Sequence, residues 1–558
     1  MRLAIHAPSL GLALPGQPFG KDVANRGLYT ALVQHGGFES VAFLSAEQPP
    51  LATLQAQLGG SATLSLSALT DTTAAVTAGT LLRGQPYLAE LAWARGHQHG
   101  HQAYSLVGMI HTLAPPTVRE LMGAALIAPV QPWDALICTS PAVRSCLEGL
   151  FDRWQEHLLQ RFGGSRCPRP QLPVLPLGVD QGQLLEQRAD QGSRRFLRQH
   201  LGLAEQDVLV LWLGRLSFFE KAYPQGMFLA LQQAAQRCGR RLQFAMAGWF
   251  PGGETDHALY REAAKRHAPD VPVHFLDGKN PQVVRCCWAA ADLFLSLVDN
   301  PQETFGLAPV EAMAAGLPVV VSDWDGYRYT VNDGVEGFRI PTLLPPGARQ
   351  GQDLASLHDH NLLSYQDYVG AVAQHVAVDT QAAAVAIARL AEDPDLRQRM
   401  GEAGRLAVQQ RFDWPVIAHE QRQLYSELAE RRRSATSVDV AAAGPRAPHP
   451  LRADPFADFA GFASATLQPA TELRLALPWP LLLERLQAAA GLDRFHGHLH
   501  ASDPEVLGLL ERLRQLQPCA CSTLLEAFPL ERHDCLRLGI TWLAKMGCIH
   551  WSPSGARR

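Results

Sequence analysis

Charge is scarce in this chain: 18% of its 558 residues are Asp, Glu, Lys or Arg, and the formal net charge is −4. So balanced a surface offers no general attraction for nucleic acid or an anionic membrane, and specific nucleic-acid binding is not expected. Cysteine is also sparse. Ten thiols, many in apolar stretches (Cys138, Cys238, Cys286, Cys287), exclude a disulfide scaffold and predict reduced, buried groups and a cytoplasmic location. Long apolar runs are missing as well. The best stretches, near 319–321 and 473–483, fall short of the ~18 to 20 residues a membrane span needs, and the second contains Pro478 and Pro480. Peripheral membrane contact is left open. The opening Met1-Arg2-Leu3-Ala4-Ile5-His6 lacks the charged and uninterrupted apolar regions of a signal peptide, and reads as a first strand.

What is present is alternation. Short apolar runs at 2–7, 41–44, 106–111, 135–139 and 173–176 alternate with amphipathic stretches such as 23–34 and 141–153, the pattern of a parallel sheet covered on both faces. After the turn Leu177-Gly178-Val179-Asp180, a second series of strands starts at 208–213. It continues at 242–247, 273–276, 293–297 and 318–321, with helices at 225–238, 282–291 and 309–315. The fold class predicted is α/β: two tandem Rossmann-like doubly wound domains plus a small, mainly helical, winged-helix-like C-terminal domain. The expected boundaries are 1–180, 181–415, a helix at 416–433 crossing back to the first domain, a linker rich in Ala, Pro and Gly at 434–470, and 471–558.

Chemistry concentrates in two segments of the second domain. Glu303-Thr304-Phe305-Gly306-Leu307-Ala308-Pro309-Val310-Glu311 reads as a loop after strand 293–297 followed by a helix, with Pro309 near its start. Ligands of open α/β sheets gather at that strand-to-helix edge. Ionised carboxylates there only accept hydrogen bonds, which suits the two donors of a sugar diol, and amides freed around Gly306 and Leu307 suit a phosphate. The second segment, Gly214-Arg215-Leu216-Ser217-Phe218-Phe219-Glu220-Lys221, follows strand 208–213. Its guanidinium and ammonium, six residues apart, suit a diphosphate. In the first domain, the turn Pro15-Gly16-Gln17-Pro18-Phe19-Gly20-Lys21 separates a strand from a helix, and His111 ends strand 106–110.

Together these residues resemble a retaining glycosyltransferase of family 4, with the two-domain GT-B architecture. The family's mark is a glutamate, seven residues, a second glutamate and then Ala-Met-Ala-x-Gly-x-Pro-Val, matched here from Glu303 and Glu311 through Val319. The resemblance spans roughly 1–430. It implies a hexosyltransferase that draws on a nucleotide-diphosphate sugar, a UDP-sugar by family habit, with no metal and no cofactor. By the same resemblance Glu303 contacts the donor hexose, Glu311 the ribose, and Arg215 and Lys221 the diphosphate. His111 lies beside the reacting sugar, Gly16 and Gly20 face the donor, and Phe305, Gly306 and Leu307 complete its site. The catalytic set implied is His111, Arg215, Lys221 and Glu303. One departure is Ala247-Gly248-Trp249-Phe250, where a bulky Trp replaces the usual small, polar loop residue.

Other readings are weaker. A glycoside hydrolase of the retaining type holds two carboxylates about 5 Å apart across the scissile bond, which the loop-plus-helix spacing of Glu303 and Glu311 fits less well. A non-catalytic nucleotide-sugar sensor is the binding-module alternative. Asp323-Trp324-Asp325 has the form of a metal-binding Asp-x-Asp, but follows a strand in a domain whose family uses none. The histidine triplets His97, His99, His101 and His496, His498, His500, and the group Cys519, Cys521, Cys535 and Cys548, lack the pairing of zinc sites and read as solvated loops and buried thiols. The acceptor is left as a sugar, a lipid or another small molecule. At the C-terminal end, helical patterns at 503–517, 522–528 and 532–546 precede a strand at 548–551. From Glu472 onward ten Lys and Arg face nine Asp and Glu, so this region is expected to bind a protein partner or self-associate.

Overall fold

The computed structural model describes residues 1–10, 20–164, 167–436, 446–488, 499 and 501–552. Gly16 and the histidines 496, 498 and 500 therefore lie outside the described residues. The chain divides into a compact unit Met1–His449 and a second unit Pro450–Arg558.

The first unit is built on two six-stranded parallel sheets. The first contains β1 (Arg2–His6), β2 (Ser40–Ser45), β3 (Thr63–Ala68), β4 (Thr80–Arg83), β5 (Ser105–Met109) and β6 (Ala135–Ile137) in the order β3-β2-β1-β4-β5-β6. The second contains β7 (Val208–Leu213), β8 (Leu242–Gly248), β9 (Val273–Asp277), β10 (Leu293–Ser296), β11 (Val319–Ser322) and β12 (Gly337–Ile340) in the order β12-β11-β10-β7-β8-β9. Helices cover both faces, so the central strands are mostly apolar: β8 and β11 are buried along their whole length, with Gln243 and Ser322 their only polar side chains. Each order reverses between two central strands, β1 and β4 in one sheet and β7 and β10 in the other. Crevices for ligands open at the carboxyl ends of such pairs.

Three strands escaped the sequence pattern. β3 alternates apolar residues with Ser and Thr at a sheet edge, while β4 (Thr80–Arg83) and β12 (Gly337–Ile340) carry only two apolar side chains each. The strand expected at 173–176 is absent. Pro173 and Pro176 supply no amide donors, and the chain there makes only single bridges, Ala135 to Gln171 and Cys138 to Val174.

The chain crosses between the two sheets at two adjoining points. Val179 N donates to Phe412 O at 2.9 Å, and Trp414 N donates to Val179 O at 3.2 Å. The Trp414 indole lies so close to Gly27 and Gly178 that a Cβ at either would collide with it. From there the helix Trp414–Arg433 packs along the helix Gly20–His35.

One ion pair braces the first sheet beneath the strand that leads to His111. Arg95 and Asp134 are both fully buried, joined by two hydrogen bonds of 2.6 and 2.8 Å. Asp134 also accepts the amides of Leu106 and Gln131, and Arg95 donates to the carbonyls of Tyr104 and Pro129. Every partner on this network is spent on the β5–β6 edge.

The second unit has its own core, with Leu473, Leu510, Leu513, Leu536, Ile540 and Leu543 buried together. A three-stranded antiparallel sheet, β16 (Cys519–Ala520), β15 (Glu472–Leu475) and β17 (Ile549–Ser552), packs with helices Asp503–Leu516 and His533–Lys545. The helices Asp503–Leu516, Cys521–Leu525 and His533–Lys545 and the last strand follow the sequence pattern; the helix Trp479–Ala488, β15 and β16 were not foreseen. No helix among the described residues is long and apolar enough to cross a membrane.

Removing the carboxylate in Asp134→Ala leaves the Arg95 charge buried without its counter-ion, which costs about 3–5 kcal/mol. Thermal and urea unfolding will show this loss; a variant as stable as the parent would mean that the pair contributes nothing.

Candidate functional site

Two loops flank the switch point of the second sheet. The first follows β7 and carries Arg215, Glu220 and Lys221; the second follows β10 and carries Glu303. Because β7 and β10 are hydrogen-bonded neighbours, residues 82 positions apart meet: Lys221 Nζ binds Glu303 Oε2 in a very short ion pair. Arg215 is held within its own loop, donating from Nη1 to Glu220 Oε2 at 2.7 Å.

The local backbone explains how Glu303 is presented. Gly306 has φ 88°, a left-handed conformation favouring glycine, and the Tyr327 ring occupies the place a Cβ would take. That turn starts the helix Leu307–Ala314 without a side-chain cap at Gly306, so the first amides of the helix open towards the loop. Phe305 is buried beneath them at 2% exposure and anchors the turn. Tyr327 is itself fixed by a 2.9 Å hydrogen bond with Ser296 at the end of β10.

Electrostatics separate the two glutamates. Burial pushes the Glu303 carboxyl up, but the Lys221 ammonium, its hydrogen bond and the amides of Thr304 and Phe305 outweigh burial and hold it below its ordinary value. Glu303 is therefore ionised at neutral pH. Burial raises Glu311 to about 7, opposed only by Lys221. Asp325 also rises to about 7, through burial first and then the Glu303 charge; its Oδ1 accepts from Ser140 Oγ at 3.1 Å.

The first sheet approaches from the other side. His111 follows β5, and its Nε2 lies 2.9 Å from Asn25 Oδ1 and 3.1 Å from Gly84 O. Asn25 Nδ2 donates to the same carbonyl, so both His111 partners are acceptors and Nε2 carries the proton. Burial lowers this imidazole to about 4, leaving it neutral with Nδ1 as its acceptor. Thr304 Oγ1 donates to His111 O at 2.9 Å, and Thr139 Oγ1 donates to Thr304 O at 3.2 Å. The two sheet edges thus touch directly beside Glu303.

Of the residues singled out in the sequence, Lys221, Glu303 and Glu311 are electrostatically coupled, Arg215 shares the Lys221 loop, and Phe305, Gly306 and Leu307 form the turn beside them. Gly20 begins the helix after β1 with open space around its α-carbon. Glu220, Thr304 and Asp325 were not foreseen. Asp325 had been visible only as half of an Asp-x-Asp pattern, and its partner Asp323 turns instead to Arg328 and Arg339. Among the described residues no three His, Cys, Asp or Glu side chains converge as a metal-binding group.

Comparison with known proteins identifies the chain's relatives and its fold. Residues 193–343 match the family described as glycosyl transferases group 1. The D-inositol 3-phosphate glycosyltransferase of Corynebacterium aurimucosum is 27% identical over 231 residues, covering 41% of this chain and 45% of that protein. The phosphatidyl-myo-inositol mannosyltransferase of Mycobacterium leprae is 32% identical over 303 residues, covering 54% of this chain and 67% of its own length. The match thus spans about half the length of the former protein and two thirds of the latter. The structure of Anabaena HepE in complex with UDP superposes with a TM-score of 0.50 at 18% identity, covering 76% of this chain and 99% of that one, and so shares the two-sheet fold.

The Lys221–Glu303 pair has a pH signature. A carboxylate depressed in the fold contributes stability that is complete above its unfolded value, 4.5, and is lost as pH falls through the folded value. With side chains 24% and 12% exposed, Lys221→Met is expected to cost about 1–3 kcal/mol near neutrality. Differential scanning calorimetry will find this deficit constant from neutrality down to about pH 4.5 and narrowing as the pH is lowered further. A pH-independent deficit would remove the ion pair as its source.

Proposed function

This chain belongs to the glycosyl transferases group 1 family, and from that premise we propose that it moves a hexose from a nucleotide-diphosphate sugar, a UDP-sugar, to an acceptor hydroxyl with retention of configuration. The observation that carries this reading is the pairing of Lys221 with Glu303 across the β7–β10 switch point, with Arg215, Glu311 and the amides of the Leu307–Ala314 helix around it.

In this reading Arg215, Lys221 and the helix amides receive the diphosphate. Charge builds on the leaving diphosphate as the bond to the anomeric carbon breaks, so prearranged cations and amides stabilise that state most. Glu303, ionised and aimed by Lys221, accepts from hexose hydroxyls. Glu311 accepts from the ribose. His111, neutral and locked by Asn25 and Gly84, accepts a hydrogen bond from a sugar hydroxyl at Nδ1 beside the reacting carbon. Gly16 and Gly20 let the first domain's backbone approach the donor. Contact between Thr304 and His111 O restricts water in the cleft, which holds hydrolysis of the activated sugar to a slow residual rate. No metal or cofactor is assigned a step.

The names of the relatives put inositol 3-phosphate and phosphatidylinositol first in an acceptor screen. The second unit is read as a winged-helix-like module for a protein partner or self-association, supported by its three-stranded antiparallel sheet and packed helices. Ten unpaired cysteines support a reducing, cytoplasmic setting.

Thermal-shift screening with uridine, guanosine and adenosine diphosphate sugars tests the donor class: selective stabilisation by UDP-sugars is expected, and no response to any of the three would refute the proposal. Lys221→Ala and Glu303→Ala are each expected to lower transfer by at least about 100-fold while the fold persists; near-normal turnover would remove those assignments. Because ribose binding needs ionised Glu311, affinity for UDP-glucose, whose own diphosphate does not titrate there, is expected to rise as pH rises through about 7. The rise should be roughly three- to tenfold between about pH 6 and 8 by calorimetry. Glu311→Gln should flatten that profile, while Asp325→Asn should not.

A further inference from the structure

Between β12 and the helix Thr380–Glu392 the chain makes an excursion that a doubly wound sheet does not require. It leaves through β13 (Thr342–Leu343) and returns through β14 (Ala377–Val378), which pair antiparallel, and it carries the helices Arg349–Asp359 and Tyr365–Ala373. The second helix reaches three separate parts of the site. Against the loop after β7, Gly370 packs on Phe219 and its carbonyl accepts from Tyr223 Oη at 3.3 Å. Gln366 Nε2 lies 3.4 Å from Glu220 Oε1, whose other oxygen holds Arg215. Against the loop after β10, Tyr365 Oη donates to Gln302 Oε1 at 2.8 Å, one residue before Glu303. Against the first domain, Arg119 Nη2 donates to Tyr368 Oη at 3.2 Å, and the Thr112 side chain lies beside the Tyr365 phenol, one residue after His111.

A prop that merely added stability would need only apolar packing. Instead the half-buried Tyr365 phenol sits between the sequence neighbours of Glu303 and His111, with Arg215, Glu220 and Arg119 close enough to act on it electrostatically. Gln302 is itself tied to the loop through its amide, which donates to Asn300 Oδ1 at 3.0 Å, and Asn300 Nδ2 donates to Phe219 O at 2.8 Å. A displacement of Gln302 is therefore passed to both loops of the second sheet.

We propose that Tyr365 is a positioning residue of the transfer site: its hydroxyl holds Gln302, and through it the loop presenting Glu303, at the first-domain edge formed by Thr112 and His111. This inference rests on the glycosyltransferase reading. It assigns the excursion a task in catalysis, to set the distance between the donor-holding carboxylate and the imidazole once the cleft is closed. Small errors in such a distance are costly to rate while leaving binding of the distant diphosphate unchanged.

The test uses the full-length chain and UDP-glucose without added acceptor, water then taking the glucosyl group as the bond to the diphosphate breaks and UDP leaves. For Tyr365→Phe the expected result is a fall of about tenfold in kcat for UDP release, with KM and UDP affinity within about twofold of the parent. Its melting temperature should stay within a few degrees, since one partly exposed hydrogen bond contributes about 1 kcal/mol. Gln302→Ala should lower kcat similarly, and the double variant should fall no further, because the two act as one unit. Unchanged kcat in Tyr365→Phe, or losses that multiply in the double variant, would overturn the role of Tyr365 alone. If the parent chain neither binds UDP nor releases it from UDP-glucose, the donor reading fails and this inference falls with it.

Discussion

An ammonium and a carboxylate held together in a half-buried crevice are the constraint around which this site is organised. Neither Lys221 nor Glu303 is well solvated, and the Lys221 ammonium is the first of the groups that hold Glu303 ionised against its burial. Without Lys221, burial would favour a neutral Glu303; without Glu303, a cation would stand in the crevice near the half-neutral Glu311. The pair is thus poised for a ligand carrying both anionic and hydroxyl groups, since each half can exchange its partner for a complementary group of the ligand.

That arrangement follows from sheet topology more than from any single loop. Only where strand order reverses do two adjacent strands send their following loops to opposite faces, opening a crevice between them. β7 and β10 are such a pair, and both chemically rich segments sit on their carboxyl ends. The first sheet repeats the order and brings its own strand ends, with His111, against the second. The buried Arg95–Asp134 network secures β5 and β6 at that edge. The adjoining crossovers at Val179 and Trp414 then hold the two sheets to one another, with Gly27 and Gly178 leaving room for the indole.

The excursion between β12 and the helix Thr380–Glu392 adds a layer to this scheme. Its Tyr365–Ala373 helix connects the loops of the second sheet with the first domain by polar contacts at the tips of side chains, where geometry is specified tightly and little stability is at stake. The site thus combines a rigid topology, which brings charges together, with an appended element suited to adjusting their separation.

Periodicity and composition were enough to determine the α/β class, the tandem of two doubly wound sheets and most of the central strands, while the family resemblance singled out Arg215, Lys221, Glu303 and Glu311. These are local properties: a strand buried on both faces must be apolar along its length, and a loop rich in charge announces itself without reference to its surroundings. β3, β4 and β12 were hidden because polar alternation or too few apolar residues erases the pattern, and 173–176 misled because its apolar residues are flanked by prolines. Which charges pair, that Glu303 stays ionised while Glu311 and Asp325 titrate near neutrality, which nitrogen of His111 bears the proton, and that Tyr365 reaches Gln302 were decided only by tertiary structure. Each depends on burial or on contact between residues far apart in the chain, and the energy of a charge is set by what surrounds it in space, which no reading of neighbours in sequence contains.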